Sequence, residues 1–251
     1  MRKLIIGLLI CFIAIYSNPC SAFGLEEDLY GKEIILKEYH LDNNLDNILK
    51  DAQIFNELPT GEKISAFVNG QKVNCYVVKE KFRDILNLQT NQIENIYRIT
   101  VFATDSYTDE KNRTDPAITT RAYVRAYFAG SQTRDGMTFN RISKWEGRYD
   151  RLDNTVTYTT TKVYARAFGE TYNGTTIGNS PFNTAFTSRN IDTPGQWYTL
   201  NPYWSNEYIV QTPIMGQMGG TYIEIKRGTS NPWTLEVRIQ DYGLQDWSFG
   251  G

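Results

Sequence analysis

From residue 96 onward the chain alternates apolar and polar positions with period two in run after run, and no amphipathic helical stretch comes between the runs. Runs at 96–103, 118–128, 138–145, 155–168, 208–211, 221–226 and 233–240 read as strands, separated by stretches rich in turn-forming residues. A parallel sheet needs crossover helices, and this region offers none, so its strands must pair antiparallel. About seven strands at short spacing predict a mainly β fold, an antiparallel β-sandwich or a partly open barrel. The abundance of tyrosine, 17 residues in all, suits such strands.

Residues 23–95 differ in kind. They carry 13 acidic and 8 basic residues, against 15 and 16 in residues 96–251. Leu41, Leu45, Ile48 and Leu49 recur at helical spacing behind a capping Asp42. Two strand-like runs, 63–68 and 72–78, flank Asn69-Gly70, a pair that tolerates the positive φ of a tight hairpin turn. A short helix is expected around 80–88. Together these predict a small acidic α/β N-terminal segment ahead of a β-sandwich domain at 96–251. Residues 171–206 form a polar stretch with Trp197, Tyr198, Tyr203 and Trp204, which reads as a packed cover over a sheet or as a binding loop.

Two strands echo each other. Thr119-Thr120-Arg121-Ala122-Tyr123-Val124-Arg125-Ala126-Tyr127 matches Thr160-Thr161-Lys162-Val163-Tyr164-Ala165-Arg166-Ala167-Phe168. Alternation puts Ala122, Val124 and Ala126 on one face of the first, and Val163, Ala165 and Ala167 on one face of the second. The opposite faces carry Arg121, Tyr123, Arg125 and Tyr127, and Lys162, Tyr164, Arg166 and Phe168. Side by side, these faces would make a basic, aromatic patch able to stack on sugar rings or pair with carboxylate and phosphate groups. The plainer reading is a solvated sheet face whose Tyr, Arg and Lys serve β-propensity and cross-strand pairing.

The chain opens with Arg2 and Lys3, an apolar run over 4–16, a break at Asn18-Pro19 and small residues at Cys20-Ser21-Ala22. This is the order of a secretory signal peptide cleaved after Ala22. The run is shorter than the ~20 apolar residues of a membrane span, and Pro19 directly before Cys20 argues against lipidation there. No later stretch is apolar enough to span a bilayer. Cleavage would leave 24 basic and 28 acidic residues, a net charge of −4 that gives no reason to expect nucleic acid. It would also remove Cys11 and Cys20. Cys75 then has no partner for an internal disulfide, so stability must come from a packed core. Alternation places Cys75 with Val73 and Val77, as a buried thiol.

The stretch 115–128, followed by Phe139-Asn140-Arg141-Ile142-Ser143-Lys144-Trp145-Glu146-Gly147, resembles uncharacterised secreted β-sandwich proteins of Gram-positive bacteria. Those have an acidic turn leading into a Thr/Lys/Tyr-rich strand, then a second strand and a short Lys-x-x-Gly turn. Gly219 to Trp233 is similar to their closing hairpin, where Arg-Gly precedes a polar turn and a Trp. The resemblance spans residues 96–240. It implies a secreted sandwich and carries no catalytic residues.

Catalytic chemistry has little to work with. His40 is the only histidine, in an acidic setting far from any nucleophile motif, so no Ser-His-Asp or Cys-His arrangement is expected. One His and one Cys cannot build a zinc site. Glu146, Asp150 and Asp153 form a carboxylate cluster of the type glycoside hydrolysis uses, but Arg148 and Arg151 are interleaved, which favours ion pairs beside a turn. The acidic loop 105–115 lacks EF-hand spacing and contains Lys111 and Arg113. The expectation is a secreted, non-enzymatic protein without cofactor or metal. It would bind an extracellular polysaccharide or anionic wall polymer through the basic and aromatic residues Arg121, Tyr123, Arg125, Tyr127, Lys162, Tyr164 and Arg166. A carboxylate-dependent glycan hydrolase and a structural or protein-interaction module are the alternatives.

Overall fold

The computed structural model describes residues 33–41, 47, 53–54, 63–88, 91–105 and 118–241. The leader expected at 1–22, nearly all of the helical stretch expected after Leu41, and the acidic loop beyond Asp105 lie outside the described residues. Among the described residues the named elements are all strands. In chain order they are β1 (Glu33–Glu38), β2 (Gln53–Ile54), β3 (Lys63–Val68), β4 (Gln71–Val73) and β5 (Tyr76–Asn87). There follow β6 (Gln92–Thr104), β7 (Thr120–Arg134), β8 (Met137–Arg151), β9 (Val156–Glu170) and β10 (Thr176–Ile177). The last five are β11 (Ala185–Asn190), β12 (Tyr198–Leu200), β13 (Ile209–Val210), β14 (Gly216–Arg227) and β15 (Trp233–Asp241). No helix among the described residues is long and apolar enough to cross a membrane.

The strands form two antiparallel sheets packed face to face, the expected mainly β sandwich. The first sheet runs β1-β5-β6-β7-β8-β12, with β2 beside β5 and β13 beside β8. The second runs β10-β9-β14-β15-β3-β4, with β11 beside β9. Strands β5 to β8 are a plain meander. The chain changes sheet between β8 and β9, and later strands close the second sheet against β3, far back in sequence.

The small faces of the two echoing strands explain the layer packing. Ala122, Val124 and Ala126 of β7 and Val163, Ala165 and Ala167 of β9 belong to one buried core. Trp145 fills the room they leave and is fully buried. It lies against Gly219 of β14, where an added Cβ would sit 2.5 Å from the indole Cε3. Gly147 is required for the same reason, since a Cβ there would come within 2.6 Å of Val163 Cβ. Cys75 is a buried thiol outside any disulfide, and burial raises its pKa.

The Asn69-Gly70 turn joins β3 to β4 with φ of 48° and 76°, the left-handed geometry its residues allow. The short helix expected at 80–88 is instead the second half of β5. A bulge between Lys81 and Arg83 shifts the alternation there, so Phe82 and Ile85 acquire a spacing that imitates a helix. Strands β7 and β8 also run further than the sequence suggests. Their hairpin continues to Asp135-Gly136, both at positive φ, and β8 carries Glu146 and Asp150 within the strand rather than at a turn. The boundary in composition at residue 95 falls inside β6.

Candidate functional site

The outer face of the first sheet holds a groove of about 770 Å³. Four adjacent strands make its floor: Phe82 from β5, Arg98 from β6, Arg125 and Tyr127 from β7, and Lys144 and Glu146 from β8. Trp197, just before β12, forms one wall, and Glu38 at the end of β1 with Tyr39, His40 and Leu41 beyond it form another. Antiparallel register sets the floor in rows. Arg98 lies opposite Glu80 and Tyr127, and Tyr127 opposite Lys144. In the next row Thr100 faces Arg125, Arg125 faces Glu146, and Glu146 faces Thr199 of β12.

The rows are wired by charge. Arg98 donates from Nε and Nη2 to Glu80 Oε2 at 2.9 and 2.7 Å. Glu146 Oε2 accepts from the Tyr127 hydroxyl at 2.8 Å and stands 3.7 Å from Arg125 Nη1, while its Oε1 pairs with Lys144 Nζ at 2.9 Å. Arg125 is only 3 % exposed. Its Nε donates to Thr100 Oγ1 at 3.2 Å, its guanidinium carbon lies 3.6 Å from the centre of the Trp197 ring, and its Nη2 has no hydrogen-bond partner. Burial, and then the like charge of Arg98, push its pKa down to about 10, which leaves it cationic at neutral pH. Burial works to raise the Glu146 pKa, but Lys144, Tyr127 and Arg125 together hold it below the ordinary value, so the carboxylate is ionised. Burial raises the Tyr127 pKa, and the neighbouring Glu146 adds to it.

The two echoing strands are not side by side. Strand β7 lies in the first sheet and β9 in the second, so their basic faces point away from each other across the core. The sandwich forces this, because small apolar faces on both strands bury best against one another. Of the seven residues singled out, only Arg125 and Tyr127 line the groove. Tyr123 is buried nearby, donating to Asp150 at 2.8 Å and meeting Trp197 edge-on, and Arg121 Nη1 donates to the Tyr123 hydroxyl at 3.3 Å. On the far sheet Tyr164 donates to Glu236, Arg166 Nε donates to Thr184 Oγ1 at 2.8 Å, and Lys162 is half-buried between β11 and β14.

The sequence reading missed Arg98, Lys144, Phe82 and the chain after β1. Arg98 and Thr100 were legible as polar positions alternating with Ile99 and Val101, and Lys144 as alternating with Trp145. Phe82 was hidden by the bulge. Trp197 was marked as an aromatic of the 171–206 stretch, which proves to be largely a cover: Ile191, Leu200 and Trp204 are buried in the core.

The carboxylates that could act on a glycan are occupied. Glu38 pairs with Arg83 at 2.5 Å, Asp150 with Arg148 at 2.7 Å, and Asp153 with Arg227 at 2.5 Å. Asp105, the described end of the acidic loop, accepts from the Thr119 and Thr120 amides at 2.8 and 3.0 Å and from Trp233 Nε1 at 3.2 Å, so it anchors the start of β7. Among the described residues no group of three or more His, Cys, Asp or Glu is placed to hold a metal ion. No protein-family model matches the chain, and neither the curated proteins nor the solved structures contain a match.

Proposed function

We propose that this is an exported, non-enzymatic protein that binds an extracellular or cell-envelope polymer in the groove over β5 to β8. The observation that carries the reading is convergence. Three cations, Arg98, Arg125 and Lys144, and four aromatic rings, Tyr39, Phe82, Tyr127 and Trp197, line one open groove of ligand-holding size. Aromatic faces accept the apolar faces of sugar rings, and fixed cations orient acidic groups. Export is supported by the order of charged, apolar and small residues at 1–22. Every carboxylate of the groove is already paired with a cation, which favours binding over acid–base catalysis.

The test is co-sedimentation of the chain lacking residues 1–22 with insoluble cell-envelope material, together with an affinity panel of soluble neutral and acidic polymers. Trp197→Ala and Lys144→Met should weaken retention by about tenfold or more, while Lys79→Met, an exposed cation lying over Tyr97 and outside the groove, should not. Retention unchanged in both groove variants would end the reading.

A further inference from the structure

The charges of the groove do not balance, and the imbalance describes a ligand. Glu80 neutralises Arg98. Glu146 is the single carboxylate shared by Lys144 and Arg125. Glu38, on the opposite wall, is matched by Arg83. One positive charge is left over, and one guanidinium nitrogen, Arg125 Nη2, is buried without an acceptor. A buried, unpartnered donor is unfavourable, and burial of a surplus cation more so. The Trp197 ring stacked on the guanidinium offsets part of this, yet a ring face cannot replace a hydrogen-bond acceptor.

The walls say what carries the missing anion. A lone inorganic ion would fill little of 770 Å³, whereas that volume and its rings suit a chain of sugar units. The surplus is a single positive charge, which one anionic group on such a chain would balance. We propose that the groove takes an acidic glycan, with one carboxylate or sulfate ester at Arg125 and Lys144 and the sugar ring against Trp197. This rests on the groove being the polymer site proposed above. Because Trp197 stacks on the Arg125 guanidinium, binding of the charged glycan there alters the fluorescence of Trp197.

Calorimetric titration of the chain lacking residues 1–22 separates the possibilities. The probes are an oligouronate, the same oligosaccharide with its carboxylates reduced to alcohols, a sulfated neutral oligosaccharide of equal length, and tripolyphosphate. The oligouronate or the sulfated oligosaccharide should bind about tenfold or more tighter than the reduced one. That preference should vanish in Lys144→Met and persist in Lys79→Met. The accompanying fluorescence change should be lost in Trp197→Phe. Equal affinity for the acidic and reduced forms would overturn the charged ligand while leaving polymer binding in place. Equal affinity for tripolyphosphate would overturn the requirement for a sugar ring. Absence of binding to every probe would overturn this inference, and retention on envelope material in the sedimentation assay would then show that the broader reading survives it.

Discussion

Strands β7 and β9 start from nearly the same nine residues and finish as opposite walls of the molecule. Their likeness goes beyond the small inner faces. Tyr123 and Tyr164 hold equivalent positions, and each donates to a carboxylate, Asp150 and Glu236. Arg125 and Arg166 are equivalent too, and each donates from Nε to a threonine hydroxyl, Thr100 and Thr184. The strands part at the ninth residue. Tyr127 offers a hydroxyl that engages Glu146, which in turn pairs with Lys144. Phe168 has none and is buried against Met218 and Met215. A shared pattern therefore sets the frame, and a single hydroxyl with its neighbours separates a polar groove from an apolar packing face.

The comparison breaks most visibly at its common core. Trp145 occupies the space that the alanines of both strands leave, so Trp145→Ala should cost about 3–5 kcal/mol in urea denaturation. Ala126→Leu and its equivalent Ala167→Leu should each cost about 1–3 kcal/mol by overpacking. Costs that differ widely between the two would show that the inner faces are not equivalent. Among the paired tyrosines, Tyr164→Phe should destabilise by about 1–3 kcal/mol, and by more than Tyr123→Phe, because Glu236 is more deeply buried than Asp150.

The groove itself is sharpened by pH. The folded-state pKa of Glu146 lies below its ordinary 4.5: burial opposes this, but Lys144, Tyr127 and Arg125 outweigh it. The unfolded chain therefore takes up the proton first as pH falls. The stabilisation from this carboxylate is present above that ordinary value and is lost as pH drops through the folded value. Glu146→Gln should flatten that part of the stability–pH curve, and Tyr127→Phe, which makes β7 imitate β9, should move the transition upward toward the ordinary value. The smallest effect is expected for Lys144→Met, at most about 1 kcal/mol of stability because the pair is partly exposed. Its consequence should appear in ligand binding instead.

Much of the sandwich can be read from alternation alone, since a strand with one face in the core must repeat every two residues. The seven runs from 96 to 240 fall on strands, the Asn69-Gly70 turn sits where its residues allow positive φ, and Cys75 is buried. Reading fails where local chemistry imitates another pattern. The bulge at Lys81 to Arg83 gave Phe82 and Ile85 a helical spacing. The charged residues of 146–150 looked like a turn, although Gly147 marks the point where β8 must pass close to Val163. The groove was legible only in fragments. Arg125 and Tyr127 came from the echo and Trp197 from its loop, while nothing local announced that Arg98, Lys144 and the residues after β1 would join them.

The sequence by itself determined the main strands from residue 96 on, which face of β7 and β9 is small and apolar, and where the hairpin between β3 and β4 turns, because these depend on near neighbours. Tertiary structure decided that β7 and β9 lie in different sheets, that β3 closes on β15, and that a tryptophan from a covering loop sits on a buried arginine. Those choices depend on which faces bury best against one another and on pairings between residues far apart in the chain, and a period-two pattern carries no record of its partner.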